Sequence, residues 1–107
     1  LRRLFANLLD NALTYTPANG SVWVAAERLN TNIIVSFRDT GIGIAPKQIA
    51  FVFDRFWRAD QARSRQEGGS GLGLAIAQTI ARAHGGEISV VSQLHIGSCF
   101  QVRLPLA

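Results

Sequence analysis

Apolar residues at Leu1, Leu4, Phe5, Leu8, Ala12 and Leu13 recur at the spacing of one helical face, so the chain opens on an amphipathic helix. Pro17 biases Thr16 away from helical backbone and Asn19-Gly20 favours a turn, which together end that helix. Ser21 to Arg28 and Ile33 to Arg38 read as strands joined through the polar Asn30-Thr31-Asn32 turn. A loop from Asp39 to Ala45 follows, and Pro46 suits the first position of a short helix ending near Val52.

From Arg58 to Gly69 the apolar periodicity vanishes. A polar, charged stretch of that length in so small a domain is expected to be a mobile functional loop. Leu72 to His84 restores helical spacing through Leu74, Ile76, Ala77, Ile80 and Ala81, and Gly85-Gly86 stops it. Ile88 to Ser92 and Cys99 to Leu104 close the chain as an antiparallel pair, the second alternating Phe100, Val102 and Leu104 with Gln101 and Arg103. The order predicts an α/β (α+β) two-layer sandwich: a mixed, largely antiparallel sheet with helices on one face.

Composition narrows the classes. The chain's 107 residues fit a single domain, and its apolar runs are too short for a membrane span, so no membrane contact is expected of this domain. The charged residues Arg2, Arg3 and Asp10 interrupt the first helix, which excludes a signal peptide. A single cysteine, Cys99, cannot close an internal disulfide and has no metal-ligand company; it fits a cytoplasmic setting. The formal charge of +4 comes from arginines scattered along the chain, which argues for a solvated surface and against nucleic acid. The exception is the local group Arg55, Arg58, Arg63 and Arg65.

Four stretches carry candidate chemistry. Asn7 and Asn11 lie one helical turn apart, and Thr14 continues their row, forming either a solvent-facing stripe or a ligand face. An amide oxygen can ligate Mg²⁺ without adding negative charge beside phosphate. Asp39-Thr40-Gly41-Ile42-Gly43-Ile44 follows an apolar strand, where an acid can accept from an exocyclic amine and glycines can let backbone approach a flat ligand. It is an ordinary strand-to-helix turn on the other reading, and it lacks the third glycine of a dinucleotide-binding fingerprint. Phe53-Asp54-Arg55-Phe56-Trp57-Arg58 places Phe53 and Phe56 as core anchors at the base of the polar loop. Gly68-Gly69-Ser70-Gly71-Leu72-Gly73-Leu74 opens the second long helix, an anion cradle by its backbone N–H groups and dipole, without the lysine of a Walker loop.

In this succession the chain resembles the ATP-binding domains of histidine kinases, within the superfamily shared with type II topoisomerases and mismatch-repair ATPases. The resemblance runs from Leu1 to Pro105 and includes His84-Gly85-Gly86 and Gly97-Ser98-Cys99-Phe100 before the two closing strands. It implies ATP and Mg²⁺ as ligands, with Asn11 holding the metal and Tyr15 against the adenine. Asp39 would bond the adenine amine, Ser98 would support that contact, and Gly41 and Gly43 would curl beside the base. Gly69, Ser70, Gly71, Leu72, Gly73 and Leu74 would form the phosphate-proximal end of an ATP lid spanning Arg58 to Gly68. Asn7 stands where the hydrolytic relatives carry a water-activating Glu, and an amide cannot act as a base. The implied reaction is therefore donation of the γ-phosphoryl group to a histidine, for relay to a response-regulator aspartate.

Two departures qualify the match. Thr14 occupies a place where many relatives carry a basic residue near the phosphates, which would leave charge neutralisation to Mg²⁺, the helix start and Arg58, Arg63 or Arg65. The family's domain begins with a strand before the first helix, so the sequence reads as truncated at its N-terminus, with the dimerisation and phosphoacceptor domain absent. His84 and His95 lack the acidic helical setting of a phosphoacceptor, so the expected partners are a separate histidine-containing domain of the same full-length protein and a receiver domain. A hydrolytic ATPase and a non-catalytic nucleotide-binding module remain as alternatives, as do protein-serine kinases with this fold.

Overall fold

The structure, a computed structural model, describes residues 1–54 and 72–106. Its elements are α1 (Arg2–Thr14), β1 (Val22–Leu29), β2 (Asn32–Asp39), a 3₁₀ segment (Pro46–Phe51), α2 (Gly73–Ala83), β3 (Glu87–Gln93) and β4 (Gly97–Pro105). Each expected element is present, with ends shifted by a residue or so. The short helix expected after Pro46 takes 3₁₀ geometry, with Pro46 in its first turn.

Local chemistry sets the ends. Thr16 Oγ1 donates to the Ala12 carbonyl at 2.7 Å, occupying one of the acceptors that the end of α1 leaves open. The far end of α2 closes as a Schellman motif, with Gly86 N–H on the Ala81 carbonyl at 2.8 Å and Gly85 N–H on the Arg82 carbonyl at 3.0 Å. The β1–β2 connection turns at Asn30, whose φ of 59° is a conformation Asn tolerates well.

The four strands form one sheet in the order β1-β2-β4-β3, antiparallel at every ladder. The parallel pairing that a mixed sheet would contain is absent among the described residues. Two hairpins, β1–β2 and β3–β4, meet through the β2–β4 ladder, which joins residues far apart in sequence. Its register sets Val35 against Val102, Phe37 against Phe100 and Asp39 against Ser98. Because side chains alternate along a strand, all six fall on the same sheet face.

Both helices pack on that face. Leu4, Leu8 and Ala12 of α1 and Leu74, Ala77 and Ala81 of α2 are buried with Phe37, Ile88, Phe100, Val102 and Leu104. Ala77 and Ala81, one turn apart and wholly buried, are small enough for α1 to lie close against α2. Phe5 stacks on Phe37 with ring centroids 6.2 Å apart, and Phe53 meets Phe100 edge-on at 6.2 Å. Phe53 is thus the anchor that the sequence suggests; Phe56 lies outside the described residues.

Leu1 and Leu13 depart from expectation, being 49% and 56% exposed. Leu13 stands five residues past Leu8, a rotation that carries it off the face shared by Leu4, Leu8 and Ala12. β1 is an edge strand in this sheet and is exposed along nearly all its length.

Candidate functional site

Asp39 is the last residue of β2 and is only 6% exposed. Its Oδ1 accepts from the Gly41 N–H at 2.9 Å and the Ser98 N–H at 3.3 Å. Burial raises its carboxyl above the ordinary 3.8, and those two N–H bonds offset part of the rise. Oδ2 has no partner among the described residues. Asp39 lines a shallow recess together with Asn11, Tyr15, Ile42, Gly43, Ile44, Ser98 and Phe100. The β2–β4 register is what brings Ser98, distant in sequence, beside the acid.

The turn after Asp39 is clamped from two sides. Ile42 N–H bonds the Tyr15 carbonyl at 3.1 Å, and Ile42's own carbonyl accepts from the His95 N–H at 2.7 Å. A Cβ on Gly41 would collide with the Tyr15 carbonyl, and one on Gly43, whose φ is +71°, with the Gln93 carbonyl. What comes close at these glycines is thus protein backbone, from the end of α1 and from the β3–β4 hairpin. The expectation that they admit a flat ligand misses this packing role, although Gly43 also lines the recess.

Ser92 is the residue that sequence reasoning missed. Its hydroxyl accepts from the Ile44 N–H at 2.8 Å, donates to the Gly97 carbonyl at 3.0 Å and lies 2.7 Å from Ser98 Oγ. A usable signal existed in the parity of β3. Ile88, Val90 and Ser92 share the inward face, so a hydroxyl there sits among apolar neighbours and must bond something.

The asparagine row is half-buried and is no solvent-facing stripe. Asn7 Nδ2 donates to the Gly73 carbonyl at 3.2 Å, linking α1 to the first turn of α2. Asn11 lines the recess, and its carboxamide has no partner among the described residues. Thr14 and Tyr15 follow, both half-buried, with Tyr15 on the recess wall. Leu72 caps α2, Gly73 begins it, and Leu74 is buried in the core. The remaining expected residues, Arg58, Gly69, Ser70 and Gly71, lie outside the described residues, as do Arg63, Arg65 and the whole lid stretch.

Asn11 offers one neutral oxygen, and the described residues contain no cluster of three or more His, Cys, Asp or Glu. That donor set cannot cage a cation by itself. It fits Mg²⁺, which keeps several waters and takes its other oxygens from substrate phosphates. Neither histidine lines the recess: His84 is exposed at the end of α2 with Nδ1 against the Ile80 carbonyl at 2.9 Å, and His95 sits in the β3–β4 turn with φ 68°. A broader trough on the opposite sheet face, lined by Trp23, Ala25, Ser36, Arg38, Cys99 and Gln101, contains no carboxylate. Among the described residues no helix is long and apolar enough to cross a membrane.

Comparison with known proteins agrees with this geometry. The profile of the family described as histidine kinase-, DNA gyrase B-, and HSP90-like ATPase matches residues 1–107. Sensor histidine kinase RppB of Synechocystis sp. is 47% identical over 106 residues, which are 99% of this chain and 23% of RppB. The chain spans about a quarter of the length of the curated relatives it matches. Among solved structures, mycobacterial sensor histidine kinase MprB superimposes with a TM-score of 0.84 at 34% identity, over 96% of this chain and 70% of that one. Full-length ShkA in complex with AMPPNP gives 0.83 at 33% identity, over 99% of this chain and 21% of that one. The chain therefore belongs to the histidine kinase-, DNA gyrase B-, and HSP90-like ATPase family.

Proposed function

We propose that this chain binds Mg-ATP in the Asp39 recess and donates the γ-phosphoryl group to a histidine on a separate domain of the same full-length protein, for relay to a response-regulator aspartate. The adenine amine donates to Asp39 Oδ2, with Tyr15 and Ile42 flanking the ring and Ser98 supporting the contact. Gly41 and Gly43 shape that wall. Leu72, Gly73 and Leu74 begin α2, whose N-terminal dipole favours the phosphates, and Gly69, Ser70 and Gly71 precede it in sequence. Asn11 would hold Mg²⁺, which neutralises phosphate charge when bound. Arg58 is the candidate cation of the polar loop. The work is done in the cytoplasm, where ATP is supplied.

The observation that carries the choice of reaction is the Asn7 contact. Its amide nitrogen is occupied by the Gly73 carbonyl at 3.2 Å, and an amide has no basic lone pair with which to take a proton from water. Water is left unactivated, so the γ-phosphorus remains available to an imidazole nitrogen, which forms the new P–N bond as the bond to the β–γ bridging oxygen breaks and ADP leaves. Positioning and charge stabilisation are most of what this transfer asks of a protein.

The test mixes this chain with the separately produced histidine-bearing domain of its own full-length protein and γ-labelled ATP. Slow labelling of that domain is expected, since the covalent link that raises effective concentration is missing. Rapid phosphate release by the chain alone would contradict the reading, and stable label on His84 or His95 would place the acceptor elsewhere.

A further inference from the structure

We propose that Ser92 is a positioning residue for base specificity, acting through Ser98; the proposal rests on the adenine-site reading above. A serine hydroxyl has one hydrogen to donate and two lone pairs to accept with. Ser92 Oγ has three neighbours at bonding distance: the Ile44 N–H at 2.8 Å, the Gly97 carbonyl at 3.0 Å and Ser98 Oγ at 2.7 Å. The Ile44 N–H can only donate, so it takes one lone pair. The Gly97 carbonyl can only accept, so it takes the single hydrogen. One lone pair is left for Ser98, which must therefore be the donor in the bond between the two hydroxyls.

That assignment decides what Ser98 shows to the recess. With its hydrogen committed to Ser92, Ser98 Oγ presents lone pairs alone. The Asp39 carboxylate that lines the recess with it accepts too, and since Oδ1 holds the Gly41 and Ser98 N–H groups it is Oδ2 that is left for the ligand. The Asp39–Ser98 side of the recess thus presents acceptors, complementary to an exocyclic amine with two hydrogens and opposed to a ring carbonyl at the same place. Ser92 sets this polarity without lining the recess itself. Remove its hydroxyl, and the Ser98 hydrogen is free to turn toward the ligand and donate to a carbonyl.

The experiment measures Kd for Mg-ATP and for Mg-ITP, which carries a carbonyl in place of the amine, on the 107-residue chain. Ser92→Ala should reduce the preference for ATP over ITP by about tenfold, the size expected when one buried hydrogen bond changes sense. Ser92→Thr keeps the hydroxyl on a residue suited to strands and should restore the wild-type ratio. Ser98→Ala should lose the same preference, and adding Ser92→Ala to it should change the ratio no further, because the first residue acts through the second. Equal weakening of ATP and ITP in Ser92→Ala would mark a merely structural role and overturn the proposal. So would an unchanged ratio in Ser98→Ala, a result that stands even if Ser92→Ala does not fold. Wild-type chain that binds neither nucleotide would instead overturn the adenine-site reading itself.

Discussion

Asp39→Asn separates the fold from the ligand at one atom. Asn keeps the oxygen that accepts from Gly41 and Ser98 and replaces Oδ2 by an NH₂ group. The turn should survive, while an acceptor facing the base becomes a donor. Losing a charge-assisted hydrogen bond costs about 1.5–3 kcal/mol, and the opposed donors add about 1–3 kcal/mol of unpaired polar burial. Together these imply about 10²- to 10⁴-fold weaker Mg-ATP binding. Stability should move the other way. The folded-state pKa of Asp39 is raised by burial, so the native state holds this proton more tightly than the unfolded chain. The stability this group contributes is complete below about 3.8 and is lost as pH rises through the raised value. At neutral pH the wild-type chain therefore carries a desolvated carboxylate that the Asn variant lacks. Calorimetric titration with Mg-ATP, paired with thermal melts from neutral pH into the acid range, reads both effects. The variant should melt no lower than wild type at pH 7, with its relative advantage shrinking as pH falls toward the ordinary carboxylate range. Binding within threefold of wild type, or a clearly lower Tm at pH 7, would refute the reasoning.

Asn11→Ala should weaken Mg-ATP binding while leaving adenosine binding intact, as calorimetry with each ligand would show; equal loss of both would remove Asn11 as the metal ligand. Gly43→Ala should destabilise the chain by about 2–4 kcal/mol, since the backbone conformation is left-handed and the Gln93 carbonyl occupies the Cβ position. Gly73→Ala is the control: its nearest neighbours lie at 4.0 Å in a helix, so the same urea titration should show no loss of stability. Asn7→Glu should lower Tm by the loss of the Gly73 bond, about 1 kcal/mol, and raise phosphate release if that position can host a base.

Much of the fold was legible because its signals are local. Leu4, Leu8 and Ala12 mark the buried face of α1 by spacing alone, and the alternation through Phe100, Val102 and Leu104 identifies the inner face of β4. Asp39 could be singled out only through the succession of motifs that carries the family resemblance, since an acid before two spaced glycines is by itself also an ordinary strand-to-helix turn. What stayed hidden depends on contacts between distant residues. The β2–β4 ladder sets Asp39 beside Ser98, which the resemblance implied but no periodicity within either strand reports. Ser92 was passed over for the same reason, since its importance lies in Ile44, Gly97 and Ser98 rather than in its own neighbours. Gly41 and Gly43 stood out by their spacing, but their close packing on the Tyr15 and Gln93 carbonyls did not, because those neighbours are distant in sequence. Leu13 satisfied a loose helical template and still faces solvent, because the one residue beyond Ala12 turns it about 100° off the stripe.

The central claim is that the Asp39 recess is the nucleotide site and that Asn11 joins it to a metal. Amide NMR of the ¹⁵N-labelled chain, titrated with ATP in the presence and absence of Mg²⁺, tests both parts in one series. The account predicts shifts concentrated at Asn11, Tyr15, Asp39, Ile42, Gly43 and Ser98, with tighter binding and a larger Asn11 response when Mg²⁺ is present. Shifts centred on Trp23, Arg38 and Gln101 across the sheet, or an affinity indifferent to Mg²⁺, would contradict it.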